Sequence, residues 1–61
     1  MLILHLEQDD YAARVTADSH KQLFMTDRFI NGRARGPEYV GLDLEDATAA
    51  AHAWVYAHEQ V

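Results

Sequence analysis

The sequence predicts a small α+β domain, in which a three- or four-stranded antiparallel sheet is followed by one C-terminal helix packed on one face. Two observations support this fold class. The first part of the chain alternates apolar and polar residues, as strands with one buried face do. Residues 43–61 instead repeat apolar residues with a helical period and begin with helix-capping residues. At 61 residues the chain has room for a single domain, residues 1–61.

The first two strands follow from this alternation. Leu2–Gln8 alternates, and Asp9-Asp10 follows it as a polar tight turn. Tyr11–Thr16 alternates in the same way, and so short a connection requires it to run antiparallel to the first strand. In the first strand Leu2, Leu4 and Leu6 are expected to point to one side, and in the second Tyr11, Ala13 and Val15 are expected to share one side.

The middle of the chain is less regular. Ala17–Lys21 is polar and is expected to be a turn, and Gln22–Thr26 is a short apolar run expected to be the third strand. Residues 27–37 then allow two interpretations. Either Asn31-Gly32 is the two-residue turn of a hairpin, or Thr26 caps a single helical turn that ends at Gly32.

Of these, we favour an irregular loop or hairpin rich in arginine. Gly36-Pro37 is expected to end whatever precedes it. A fourth short strand is expected within Glu38–Leu42, weakened by Gly41.

The closing helix is predicted by its start and its periodicity. Asp43 is the expected N-cap, because its carboxylate can accept from the free amides of the first turn. Glu45 and Asp46 place negative charge at the positive end of the helix dipole. The apolar stripe comprises Leu44, Ala47, Ala51, Trp54, Val55 and His58, flanked by Ala50, Ala57 and Val61. The opposite face carries Glu45, Ala49, His52, Tyr56 and Glu59.

Composition restricts the class of protein. The chain has no cysteine, so neither a disulfide nor a thiolate metal site can stabilise it. No apolar run approaches the roughly 20 residues of a membrane span, and no signal peptide is visible. We therefore expect a cytoplasmic protein with no membrane partner. A domain this small is marginally stable alone, which favours a homodimer or a permanent protein partner.

No group of residues predicts catalysis, a cofactor or a metal. His52 and His58 are six positions apart, so they do not form the i, i+4 pair of a zinc-binding helix. The only serine, Ser19, lacks the glycines of a nucleophile elbow. The three glycines do not follow a phosphate-loop pattern. We expect a protein that is not an enzyme, with no catalytic, cofactor-binding or metal-binding residues.

Charge is distributed unevenly along the chain. The net charge is −5, with −3 in residues 1–20, +3 in residues 21–37 and −5 in residues 38–61. Arginines mixed with aromatic residues are typical of protein-interface hot spots and of nucleic-acid contacts, and the overall acidity favours the former. The predicted partner-binding residues come from the basic segment and from the outward helix face: Arg28, Phe29, Arg33, Arg35, Tyr39, Glu45, His52, Tyr56 and Glu59.

The segment from Leu44 to Val55 resembles the closing helix of many small phage and prophage proteins, in which a few antiparallel strands precede a helix of this form. Size and acidity are also similar to those of phage-encoded inhibitors of host enzymes, including anti-CRISPR proteins. That class shares no common motif, so the resemblance assigns no residue a role.

These observations favour a non-enzymatic protein-binding module, in its sharper form a phage-type inhibitor of a host nucleic-acid enzyme. Two alternatives stay open. One is a small nucleic-acid-binding accessory protein acting through Arg28, Arg33 and Arg35, and the other is a structural homo-oligomeric domain. The free face of the sheet, or the alanine-rich flank of the helix, is the candidate surface for a partner or a second copy.

Overall fold

Four antiparallel strands and one helix make up the computed structural model, which describes residues 1–57. The strands are β1 (Leu2–Gln8), β2 (Tyr11–Asp18), β3 (Leu23–Ile30) and β4 (Arg33–Gly41), and the helix is α1 (Leu44–Tyr56). The sheet is a meander in the order β1-β2-β3-β4. Helix α1 crosses one face of the sheet and contacts all four strands, which confirms the predicted fold class.

Two tight turns at one end of the sheet fix the register of the strands. Asp9-Asp10 joins β1 to β2, and Asn31-Gly32 joins β3 to β4. Asn31 and Gly32 both have positive φ, 53° and 79°, as expected for a two-residue hairpin turn whose twist matches the strands. The Asn31 N–H donates to the Asp10 carbonyl at 2.7 Å, which holds the two turns together. The hairpin interpretation of residues 27–37 is therefore confirmed, and the helical-turn interpretation is wrong.

The third and fourth strands are longer than the sequence suggested. The expectation that Gly36-Pro37 would end the preceding element is wrong, because β4 runs through it. Between the Thr26–Tyr39 and Phe29–Ala34 pairs, β4 contains two more residues than β3, so the strand bulges. Gly36 supports the bulge with φ of 86°. Pro37 is tolerated because β4 lies at the sheet edge, where no N–H is required on the open side.

The core lies between α1 and the two central strands. Its fully buried apolar residues are small: Ala13, Val15, Ala47, Ala51 and Val55. Half-buried larger side chains surround them: Leu4, Leu6, Phe24, Tyr39, Trp54 and Tyr56. The buried Thr26 hydroxyl donates to the Ala47 carbonyl at 2.7 Å, which joins helix to sheet without an unsatisfied polar group. The small alanines let α1 approach the sheet closely.

The start of α1 agrees with the prediction. Asp43 Oδ1 accepts from the Glu45 and Asp46 amides at 2.9 and 3.4 Å. The Asp43 N–H in turn donates to the Tyr39 hydroxyl at 3.1 Å. The Tyr39 hydroxyl lies directly beside Gly41, where an added Cβ would sit 2.5 Å from it. Gly41 therefore leaves the space that Tyr39 needs to reach the start of the helix.

Three expectations about side-chain direction require correction. A bulge at Ile3 places Leu2 opposite Thr16, so Leu2 points away from the helix and is 57% exposed. Tyr56 is half-buried against the core instead of lying on the outward helix face, and Leu44 is 39% exposed. The expectations for His58, Glu59 and Val61, and for the helix beyond Ala57, lie outside the described residues.

Candidate binding surface

The sheet face opposite α1, called the outer face here, is not covered by any described residue. Its side chains lie in rows that cross all four strands, because directly paired residues of neighbouring strands point to the same side. The row nearest the chain's start joins Leu2 to Thr16, Thr16 to Met25, and Met25 to Val40. We call these four residues the apolar belt. Leu2 is 57% and Val40 53% exposed, while Thr16 and Met25 are half-buried between them.

A polar row borders the apolar belt. It runs from His5 through Arg14 and Asp27 to Pro37. The Arg14 Nε–H donates to His5 Nδ1 at 3.3 Å, so the proton of the neutral imidazole lies on Nε2. His5 Nε2 in turn faces Glu7 Oε2 at 3.3 Å. These contacts hold the polar row in one arrangement along the sheet.

The third row brings an aromatic ring under the arginine. It contains Glu7, Ala12, Phe29 and Ala34. The Arg14 guanidinium carbon lies 5.2 Å from the centre of the Phe29 ring, within the range of a cation–π contact. The outer face therefore contains an apolar belt at one end and an arginine stacked on a phenylalanine toward the other. Its net charge is about −2 with His neutral, from Glu7, Asp18 and Asp27 against Arg14, compared with −5 for the whole chain.

A concave site adjoins the apolar belt. It has a volume of about 440 Å³ and is lined by Met1, Leu23, Met25 and Val40 together with the polar residues of the β2–β3 turn. Met1 is tied to β2, because its ammonium group donates to the Ala17 carbonyl at 2.9 Å and its own carbonyl accepts from the Ala17 amide at 2.8 Å. The concavity and the apolar belt are thus parts of one fixed surface.

Arg28 and Tyr39, predicted to bind a partner, lie on the helix side of the sheet and make contacts within the fold. Arg28 pairs with Glu38 at 3.1 Å and donates to the carbonyls of Arg35 and Gly36 at 3.0 and 3.4 Å. Its guanidinium also lies 5.0 Å from the Trp54 ring centre. Arg28 therefore holds the β4 bulge against the helix. Tyr39 supports the helix start as described above.

The other predicted residues are divided among separate surfaces. Phe29 lies on the outer face, while Arg33 lies opposite Ile30 on the helix side. Arg33 and Arg35 are exposed and border a shallow cavity with Ile30 and Asn31. Glu45 and His52 are exposed on α1, and the rings of His52 and Tyr56 lie 5.5 Å apart. Glu59 lies outside the described residues. The structure therefore does not bring the basic segment and the helix face together in one site.

Sequence reasoning missed Leu2, Met25, Val40 and Arg14 as candidate binding residues. A usable signal was present in the Asn31-Gly32 turn. Accepting that turn pairs Ile30 with Arg33 and Phe29 with Ala34, and it extends β3 beyond Thr26. The bulge at Ile3, which turns Leu2 to the outer face, has no signal in the sequence.

Within residues 1–57, no cluster of His, Asp and Glu has the geometry to hold a metal ion. In the same part of the chain, no helix is both long and apolar enough to cross a membrane. Comparisons with protein-family models, with curated proteins and with solved structures found no match.

Proposed function

We propose that this chain is a non-enzymatic protein-binding module that docks through the apolar belt of its outer face. The observation that carries the proposal is that Leu2, Thr16, Met25 and Val40 form a continuous row across all four strands, with no described residue over it. Four strands at about 4.8 Å spacing give a row roughly 14 Å wide. Exposure of this apolar surface to water is unfavourable in free energy, and a bound partner would remove the surface from water.

The surroundings of the apolar belt support a protein as the partner. Protein interfaces combine an apolar centre with a polar rim, and they are enriched in Met, Arg and aromatic residues. Here Met25 lies in the centre, and the Arg14–Phe29 stack lies on the rim. Arg14 is pre-ordered by His5 and Phe29, so docking would immobilise it at little further entropic cost.

The sharper form of the proposal is a phage-type inhibitor of a host enzyme that acts on nucleic acid. Acidic residues lie at both ends of the sheet, with Asp9 and Asp10 in one turn and Asp43, Glu45 and Asp46 at the helix start. Negative charge at the rim would steer the module toward the basic groove of such an enzyme. This form of the proposal names the class of partner, and it requires that the chain docks through the apolar belt.

The docking surface is tested by capture from a lysate of the cells that carry the gene, using wild type, Val40→Glu and Ala53→Glu as bait. Val40 is 53% exposed on the apolar belt, so a carboxylate there leaves the fold intact but would be desolvated under a partner. Ala53 is exposed on α1 and takes the same charge change as a control. We expect wild type and Ala53→Glu to retain the same protein, and Val40→Glu to lose it at least tenfold. Equal capture by all three would reject the docking surface.

A second candidate, binding of nucleic acid, is favoured by Arg33 and Arg35. Both are exposed beside the Asn31-Gly32 turn, and no ion pair of their side chains is seen with any residue in 1–57. This function requires binding of DNA or RNA that weakens as salt rises and that falls in Arg33→Ala and Arg35→Ala. Absence of binding at low salt would reject it.

A further inference from the structure

The two edges of the sheet differ in how open they are. The β4 edge is interrupted by two extra residues and by Pro37, which has no N–H to offer a neighbour. Arg28 further occupies the carbonyls of Arg35 and Gly36. In β1, by contrast, Leu4–Gln8 pairs regularly with β2 and contains neither proline nor a bulge. Among residues 1–57, no strand lies on its other side.

From this edge we infer that β1 pairs with β1 of a second copy, which joins two sheets into one of eight strands. The free main-chain groups can be identified from the alternation of an antiparallel ladder. Because the turn between β1 and β2 has two residues, Gln8 and Tyr11 exchange main-chain hydrogen bonds with each other. Every second residue of β1 repeats this pattern, so the main-chain groups of Leu6 and Leu4 also bond to β2. The N–H and C=O groups of His5 and Glu7 therefore point to the open edge. On β2 the bonding residues alternate in the same way from Tyr11 onward, and Ala17 accordingly exchanges two main-chain hydrogen bonds with Met1.

The register of the dimer follows from symmetry. When two copies of β1 pair around a two-fold axis, the residue at the axis lies opposite the same residue of the other copy. In a continuous sheet, paired residues of the two copies also point to the same face. The bulge at Ile3 limits the regular edge to Leu4–Gln8, whose midpoint is Leu6. With the axis at Leu6, His5 of each copy lies opposite Glu7 of the other. These two pairs exchange four main-chain hydrogen bonds.

A second copy fits this edge because β1 is complementary to itself. His5 and Glu7, which already attract each other within one chain at 3.3 Å, meet reciprocally across the axis. On the helix side Leu6 meets Leu6, and both half-buried leucines of the edge, Leu4 and Leu6, lose solvent exposure. The acidic turns stay apart, because the Asp9 residues are six positions from each other along the paired strands. That separation is about 20 Å, beyond the Debye length of about 8 Å.

The dimer is tested by sedimentation of wild type, Glu7→Pro and Val40→Glu over micromolar concentrations. The Glu7 N–H points outward, so proline there removes a bond between copies and none within the sheet. We expect a wild-type dimer whose dissociation constant rises about thirtyfold in Glu7→Pro, because two symmetric hydrogen bonds are lost. Val40→Glu, on the outer face, is expected to dimerise as wild type does. Circular dichroism of each variant checks that the fold is kept.

Two further variants test the register without proline. The chain has no cysteine, so Leu6→Cys introduces a single thiol at the axis, where mild oxidation should link the two copies. Ala53→Cys on the exposed side of α1 is the control and should link far more slowly. His5→Glu should weaken the dimer, and adding Glu7→Lys to it should restore binding.

Three results would overturn the inference. The first is that wild type sediments as a monomer at the highest concentration used, and the second is that Glu7→Pro leaves the dimer unaffected. The third is that Val40→Glu abolishes the dimer while Glu7→Pro does not. The last result would assign self-association to the apolar belt. Because the β1 edge and the belt are separate surfaces, a monomer that still captures a partner through Val40 would leave the proposed function standing.

Discussion

Arg28 and Arg33 show how two arginines five positions apart take different roles. Arg28 pairs with Glu38, donates to two carbonyls of the β4 bulge and lies over Trp54. Arg33 is exposed next to the Asn31-Gly32 turn. Sequence reasoning placed both in one basic binding segment, because the bulge that gives Arg28 its carbonyl partners depends on how β4 pairs with β3. At the scale of the residue, burial and partners separate a structural arginine from a surface one.

We therefore expect Arg28→Ala to lower the free energy of unfolding by roughly 2 kcal/mol, from the lost carbonyl bonds and the lost contact with Trp54. Arg33→Ala serves as the matched control and should stay within about 0.5 kcal/mol of wild type. Urea unfolding followed by circular dichroism measures both. Equal stability of the two variants would show that Arg28 does not hold the bulge.

At the scale of the element, α1 is the best-predicted part of the fold. Its N-cap, its first-turn acids and its buried Ala47, Ala51 and Val55 all follow from local chemistry and helical period. The cap has one partner that the sequence did not reveal, the Tyr39 hydroxyl, which accepts from the Asp43 N–H. That contact depends on Gly41 and joins β4 to α1, so it could not be read from either segment alone.

Asp43→Ala should lower the free energy of unfolding by about 1 kcal/mol, because the Glu45 and Asp46 amides lose their acceptor. Asp43→Asn keeps a side-chain oxygen at the cap and should lower the free energy of unfolding by only about 0.3 kcal/mol. Thermal unfolding of the two variants separates the effects. If asparagine costs as much as alanine, the negative charge and its interaction with the helix dipole, instead of the hydrogen bonds, stabilise this end.

The sequence predicts the bounds of some strands better than those of others, for reasons that differ between the strands. β1 and the start of β2 follow from period-two alternation and were placed correctly. The sequence predicts a third strand that ends at Thr26, with residues 27–37 as a loop or hairpin, whereas β3 runs on to Ile30. In the fold, Asp27 faces solvent on the outer face and Arg28 is satisfied by β4, so pairing with β2 continues. Tertiary partners thus overrode the local pattern.

At the scale of the whole molecule, large side chains lie outside a core of small ones. Among residues 1–57, the largest fully buried residues are Val15, Val55 and Thr26, while Met25, Phe29 and Val40 lie on the outer face. The sequence predicts the free sheet face as a candidate surface but does not indicate which residues form it. That assignment requires the register of all four strands, including the bulge that turns Leu2 outward.

The measurement that tests the docking surface most directly uses the chain's own reporters. Met1 and Met25 are its only methionines and Trp54 its only tryptophan. Met25 lies in the apolar belt, while the Trp54 indole N–H donates to the Phe29 carbonyl at 3.2 Å on the helix side. With ¹³C-methyl methionine and ¹⁵N-indole labels, addition of the captured partner should shift or broaden the Met25 methyl signal and leave the Trp54 signal in place. A shifted Trp54 signal with an unchanged Met25 methyl would contradict docking through the outer face.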